Sequence, residues 1–111
     1  MELSKANKKA ARQIIEIGLQ NEFKNGLSIA AAVIKEWESK AGDNQTYYHS
    51  LYSKIKDFDK HIARRYDGMR GSDYLFIIAA QLREGHITEN DLAPLSEEVR
   101  QQVQFIVSMG S

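Results

Sequence analysis

The sequence has no cysteine, which excludes disulfides, thiolate metal sites and cysteine nucleophiles together. Proline, the residue that most often interrupts a helix, occurs once, as Pro94. Charge of one sign is missing too: 15 Lys and Arg balance 15 Asp and Glu, so no global pull toward nucleic acid or membrane is expected. The opening residues MELSKANKKAAR lack the apolar core of a signal peptide, and no later run is long enough to span a bilayer. A cytoplasmic address follows as the expectation. There is no Walker-type loop, dinucleotide fingerprint or H-E-x-x-H pattern. His49, His61 and His86 are isolated from one another. The carboxylates fall on predicted solvent faces, poor places for acid–base work. The chain is therefore expected to be no enzyme and to carry no metal or cofactor.

What is present is helix. At 111 residues, 42% hydrophobic and 27% charged, the chain has the size and balance of one globular domain. Its axis is residues 15–41, where Leu19, Phe23, Gly26, Ala30, Val33 and Trp37 recur at alternating steps of four and three. Such a ladder is the seam of a helix lying along another helix. Leu27, Ala31 and Ile34 widen it, while Asn21, Asn25, Ser28, Lys35 and Ser39 line the opposite side. Gly26 could end one helix, with Ser28 capping the next. The apolar phase runs through it unbroken, however, and a mid-helix glycine costs only about 1 kcal/mol. It also lets a facing helix come close. Continuity is the preferred reading, giving one helix from about Ser4 to Lys40. At 1.5 Å per residue that helix is on the order of 55 Å long, against a radius of gyration of about 13 Å for a compact 100-residue domain. Half its seam would stay wet unless a second copy covered it, so a homodimer is expected. Trp37 suits the centre of such an interface.

Gly42-Asp43-Asn44-Gln45 reads as a turn, with Thr46 as N-cap of the next helix. That helix carries a second ladder, Tyr48, Leu51, Ile55, Phe58, Ile62 and Tyr66. Asp57 and His61 stand at i,i+4, with no nucleophile in view to make them a catalytic pair. Gly68-Met69-Arg70-Gly71 breaks the helix, and Ser72 or Asp73 caps the following one. Residues 74–82 are apolar nearly all round, as a buried helix would be. Gly85 ends that helix, Thr88 caps a short turn reaching Leu92, and Ser96 caps the last helix. Val99, Val103, Ile106 and Val107 give it a narrow apolar face. The predicted fold is all-α: long helices paired in an elongated homodimeric bundle, with a small helical head. Residues 1–66 form the dimerisation portion and residues 67–109 the head, within one structural domain.

The run from His61 to Val103 resembles the fluorescence recovery protein family of cyanobacteria and its relatives. The resemblance rests on Ile62, on Tyr66-Asp67 with Arg70 and Ser72, and on the apolar helix from Phe76 to Leu82. It continues through Glu84-Gly85, Glu89, Asp91-Leu92, Leu95 and the helix starting at Ser96. Upstream, residues 21–41, a turn and a second ladder resemble the family's paired long helices. The resemblance implies a homodimeric, all-helical regulator without a cofactor, involved in photoprotection. Family members bind the C-terminal domain of the photoactivated orange carotenoid protein and hasten its return to the resting form. By this reading Leu19, Phe23, Gly26, Ala30, Val33, Trp37, Leu51, Ile55 and Phe58 form the dimer contact. The family's second helix carries a tryptophan, then a histidine-aspartate pair, and later an arginine. Here His49, Tyr52-Ser53 and Asp59 take those places. With Phe76 and Ile77 they form the expected partner-binding set, and Tyr66, Asp67 and Arg70 the family-like motif. Two extra residues lie within 68–71. A rewritten surface implies a changed client on a retained scaffold.

Two other readings stay open. Lys5, Lys8, Lys9 and Arg12, with the six Lys or Arg against three Asp of residues 54–70, suit a nucleic-acid-binding helical module. The apolar helix at 74–82 suits a structural subunit that docks into a larger assembly.

Overall fold

A computed structural model describes residues 2–39 and 42–110. Lys40, where the first helix was expected to end, and Ala41 lie outside the described residues. Among the described residues four helices follow in order: α1 (Lys5–Ser39), α2 (Asn44–Tyr66), α3 (Tyr74–Arg83) and α4 (Glu97–Met109), with 3-10 turns at Gly71–Asp73 and Glu89–Leu92. No strand occurs among the described residues, and none of their helices is long and apolar enough to cross a membrane. The all-α expectation holds, and α1 runs through Gly26 without a break. Ser28 does not start a helix; its hydroxyl donates to the Lys24 carbonyl at 3.1 Å.

The chain forms two compact units. The first joins the chain up to Glu22 with everything from Gly68 onward; the second is Phe23–Asp67. The head thus draws in the first half of α1, which the expected boundary at 66 assigns to the long portion. The reason is a buried stripe at one helical face: Ala10, Ala11, Ile14, Ile15 and Gly18. These meet Leu75, Ile77, Ile78 and Ala79 of α3, with Ile87, Leu92, Leu95, Val99 and Val103, in one apolar core. Polar groups pin it. The Gln81 side chain, fully buried, donates from Nε2 to the Ile15 carbonyl at 2.9 Å. Asn7 and Ser96 bond reciprocally: the Ser96 N–H donates to Asn7 Oδ1 at 3.0 Å, and Asn7 Nδ2 donates to Ser96 Oγ at 3.3 Å.

The ends of the elements follow their sequence. Ser4 caps α1, accepting from the Asn7 N–H at 3.1 Å. Ser96 caps α4 through the Val99 N–H. Gly85, at φ +81°, closes α3 as a Schellman motif: its N–H donates to the Leu82 carbonyl and that of His86 to Gln81. Thr88 and Asp91 cap the second 3-10 turn, the Thr88 N–H donating to Asp91 Oδ2 at 2.7 Å. One carboxylate departs from the expected solvent faces: Glu22 is 1% exposed.

The N-cap of α2 is Asp43, not Thr46 as expected. Its carboxylate accepts from the Gln45 N–H at 3.0 Å and from the Thr46 hydroxyl at 2.8 Å. A threonine hydroxyl can donate, and a carboxylate accepts more strongly, so Thr46 serves the cap one turn inside it. The Thr46 hydrogen bond first, then the Gln45 one, holds the Asp43 carboxyl below its ordinary 3.8. A lowered folded-state pKa means this contribution is complete above the ordinary value and is lost as pH falls through the lowered one. In an NMR titration from about pH 6 to about pH 2, the Gln45 amide shift should move in that window. Asp43→Asn should leave it flat. A flat profile in the unmodified chain would remove the cap from the pH response.

Candidate interaction surface

Within Phe23–Asp67, the second half of α1 and α2 run antiparallel as a hairpin. Phe58 lies over Gly26, where an added Cβ would sit 2.7 Å from its Cε2. The Phe23 and Phe58 ring centroids are 6.2 Å apart. Nearer the turn, Trp37 Nε1 donates to Asn44 Oδ1 at 2.8 Å. The residue numbers of facing pairs therefore sum to nearly the same value down the hairpin. Phe23, Gly26 and Trp37 of the predicted seam thus meet α2 of the same chain, and the close approach at Gly26 is to Phe58.

This packing leaves most of the hairpin's apolar surface in the open. Val33 is its only buried hydrophobic residue among the described residues, and α2 has no buried residue at all. Leu27 is 73% exposed, Tyr48 68% and Tyr52 59%, and Ile34, Trp37 and Ile55 are each exposed by more than two-fifths. The antiparallel register aligns Ile34 with Tyr48, Ala31 with Leu51 and Leu27 with Ile55 on one flank. Between the helices near the turn, that flank dips into an apolar groove of roughly 360 Å³, lined by Val33, Ile34, Trp37, Tyr47, Tyr48 and Leu51, with Asn44 at its edge. The hydrogen bond to Asn44 fixes the indole of Trp37 as one wall.

The residues expected to touch a partner divide. His49, Tyr52, Ser53 and Asp59 are all exposed and share one side of α2; the Tyr48 and His49 rings meet edge-on with centroids 5.7 Å apart. Phe76 belongs to the other unit, where it is 60% exposed, whereas its neighbour Ile77 is core. Phe76 borders a second apolar groove of roughly 290 Å³, with Leu75, Phe105, Ile106 and Met109. In the Tyr66-Asp67-Arg70 motif, the Asp67 N–H closes α2 on the Ala63 carbonyl at 2.9 Å, and the Arg70 N–H donates to Asp73 Oδ2 at 2.9 Å. Asp67 and Arg70 thus bound the connection between α2 and α3, helped by Gly68 at φ +70°. Of the dimer set, Phe23, Gly26 and Phe58 meet one another within the chain, while Trp37 and Ile55 remain open. Leu27, Tyr48 and Ile34, outside that set, are the larger part of the exposed flank. No group of three or more His, Cys, Asp or Glu positioned to hold a metal ion occurs among the described residues. No protein-family model matches the chain, and comparison with curated proteins gives no match.

Proposed function

We propose that this chain is a non-catalytic, dimeric helical regulator that acts by binding a client protein, in the manner of the fluorescence recovery proteins it resembles. The observation that carries the reading is the hairpin's uncovered apolar flank. Leu27, Ile34, Trp37, Tyr48, Tyr52 and Ile55 together expose on the order of 700 Å², against roughly 800 Å² per partner in a standard interface. Isolated exposed hydrophobic residues are ordinary, but a contiguous patch of this size marks a binding face. A second copy satisfies it symmetrically. The client then meets what the dimer leaves free on α2: His49, Ser53 and Asp59. A regulator of this kind needs no bond chemistry. It favours one conformer of its client, or the barrier between two, by binding it better.

Sedimentation of the purified chain at tens of micromolar is expected to give a dimer, with Leu27→Asp shifting it toward monomer by at least tenfold in dissociation constant. A monomer at that concentration would end the dimer reading. For the client, the protein is mixed with a photoactivated orange carotenoid protein and the return of the orange form is followed. Acceleration supports the family's activity. An unchanged rate with an intact dimer means that the scaffold serves another client.

A further inference from the structure

The exposed flank of Phe23–Asp67 has relief as well as area. At one end Leu27, the most exposed large hydrophobic residue among those described, stands level with Ile55 as a ridge. At the other end is the groove walled by Val33, Ile34, Trp37, Tyr47, Tyr48 and Leu51. Ridge and groove are seven residues apart on α1, or about 10 Å along the helix. Ala31, the smallest side chain of the flank, lies between them. None of the groove residues is charged, and the one amide among them, Asn44, already accepts from Trp37 Nε1. An aliphatic side chain suits such a site.

Resting on the dimer proposed above, we infer that two copies pair face to face about a two-fold axis that crosses the hairpin at right angles to its helices, level with Ala31. Leu27 of each copy then seats in the groove of the other. With the helices of the two copies kept aligned, face-to-face pairing about a two-fold axis has two symmetric arrangements. An axis parallel to the helices keeps every residue at its own level, so that groove opposes groove and Leu27 opposes Ile55 of the second copy. Two facing hollows would stay poorly filled, and unfilled apolar space forfeits contacts on all its walls. An axis across the helices reverses the levels instead. Leu27 meets the Ile34 level, Ile55 meets the Tyr48 level, and the two Ala31 residues approach closely at the axis. Both grooves are filled by one contact made twice.

The absence of cysteine makes the test direct, because an introduced thiol is the only one in the chain. Single variants Leu27→Cys, Ala31→Cys, Ile34→Cys and Ile55→Cys of the full chain are checked for helicity by circular dichroism. They are then oxidised mildly, alone and in equimolar pairs, after exchange of subunits. The inference expects Ala31→Cys to cross-link with itself, and the Leu27→Cys plus Ile34→Cys mixture to cross-link at least tenfold faster than Leu27→Cys plus Ile55→Cys. The reverse preference overturns the crossed axis and leaves the dimer standing. Sedimentation of the unmodified chain as a monomer removes both. Should a thiol at position 27 itself weaken the pairing, Ala31→Cys alone decides: its self-cross-link forms only about the crossed axis.

Discussion

Gly18→Ala is expected to destabilise the protein by about 2–4 kcal/mol, although alanine is the better helix former by about 1 kcal/mol. The added methyl would overlap the Gln81 carboxamide, lying 2.6 Å from Oε1. The far end of a glutamine side chain can usually move aside at little cost, but this one is fully buried and held at the Ile15 carbonyl. Displacing it strands a buried amide, worth about 1–3 kcal/mol, and forces repacking worth about 1–3 kcal/mol more. Set against a total stability of about 5–15 kcal/mol, such a loss should lower Tm by about 10–20 °C. The two positions should also be coupled. In a Gly18→Ala/Gln81→Ala double variant the clash is gone, so the combined loss should fall short of the sum by about 1–2 kcal/mol. A Tm for Gly18→Ala at or above that of the unmodified chain would show that Gln81 swings clear, and would remove the glycine's packing role.

Truncating the two units should have unequal effects. Ile78 is fully buried in the core shared by α1, α3 and α4, so Ile78→Ala should cost about 3–5 kcal/mol, the transfer term plus an unrelaxed cavity. Val33, the one buried hydrophobic residue among those described in the hairpin, borders an open groove. Water can enter the space left by Val33→Ala, and the cost should be about 1 kcal/mol. Denaturant midpoints at one protein concentration measure both. Raising that concentration adds a second comparison. If the hairpin is stabilised by its copy, its midpoint rises with concentration through mass action. Concentration-independent midpoints would uncouple the hairpin's stability from pairing. Equal losses at the two positions would contradict the difference in their burial.

These predictions show which features the residue pattern carries and which it conceals. The 4-3 ladder through Gly26 encodes a continuous helix and a close partner, and both are present. It could not say that the partner at Gly26 is Phe58 of the same chain, because a ladder records the face that is covered and not what covers it. Local rules served well where the chemistry is local: Ser96, Thr88 and Gly85 act at the ends assigned to them. They failed at Asp43, where Asp43 and Thr46 compete for one role and only geometry ranks them. Glu22 is the instructive miss: it lies at helical spacing from apolar neighbours, yet a carboxylate on such a face is ordinarily read as solvated. Gln81 lies in a helix expected to be buried, but that expectation says nothing of its polar role there. The Gly18 position was the available signal for Gln81, since a glycine in a buried stripe leaves room for a long side chain from elsewhere. The exposed flank was half legible. Leu27, Ala31 and Ile34 form a pattern, whereas their alignment with Ile55, Leu51 and Tyr48 depends on the register of the hairpin.

The bond between Asn7 and Ser96 spans 89 positions of chain, and its consequence is one of timing. Synthesis proceeds at about 5–20 residues per second, so the stretch between them takes roughly 5–20 s to make. For most of that interval Ala10, Ala11, Ile14 and Ile15 are present without the α3 and α4 surfaces that will cover them. The hairpin of Phe23–Asp67 is one unbroken stretch of chain, so all of it is made before α3 and α4. Nascent chains should therefore display a helical hairpin first and acquire the head only at the end, when the last segment returns to the first. The N-terminal stripe is the part of this protein most exposed to misassociation during its own birth, and the basic residues Lys5, Lys8, Lys9 and Arg12 around it supply like-charge repulsion between nascent chains.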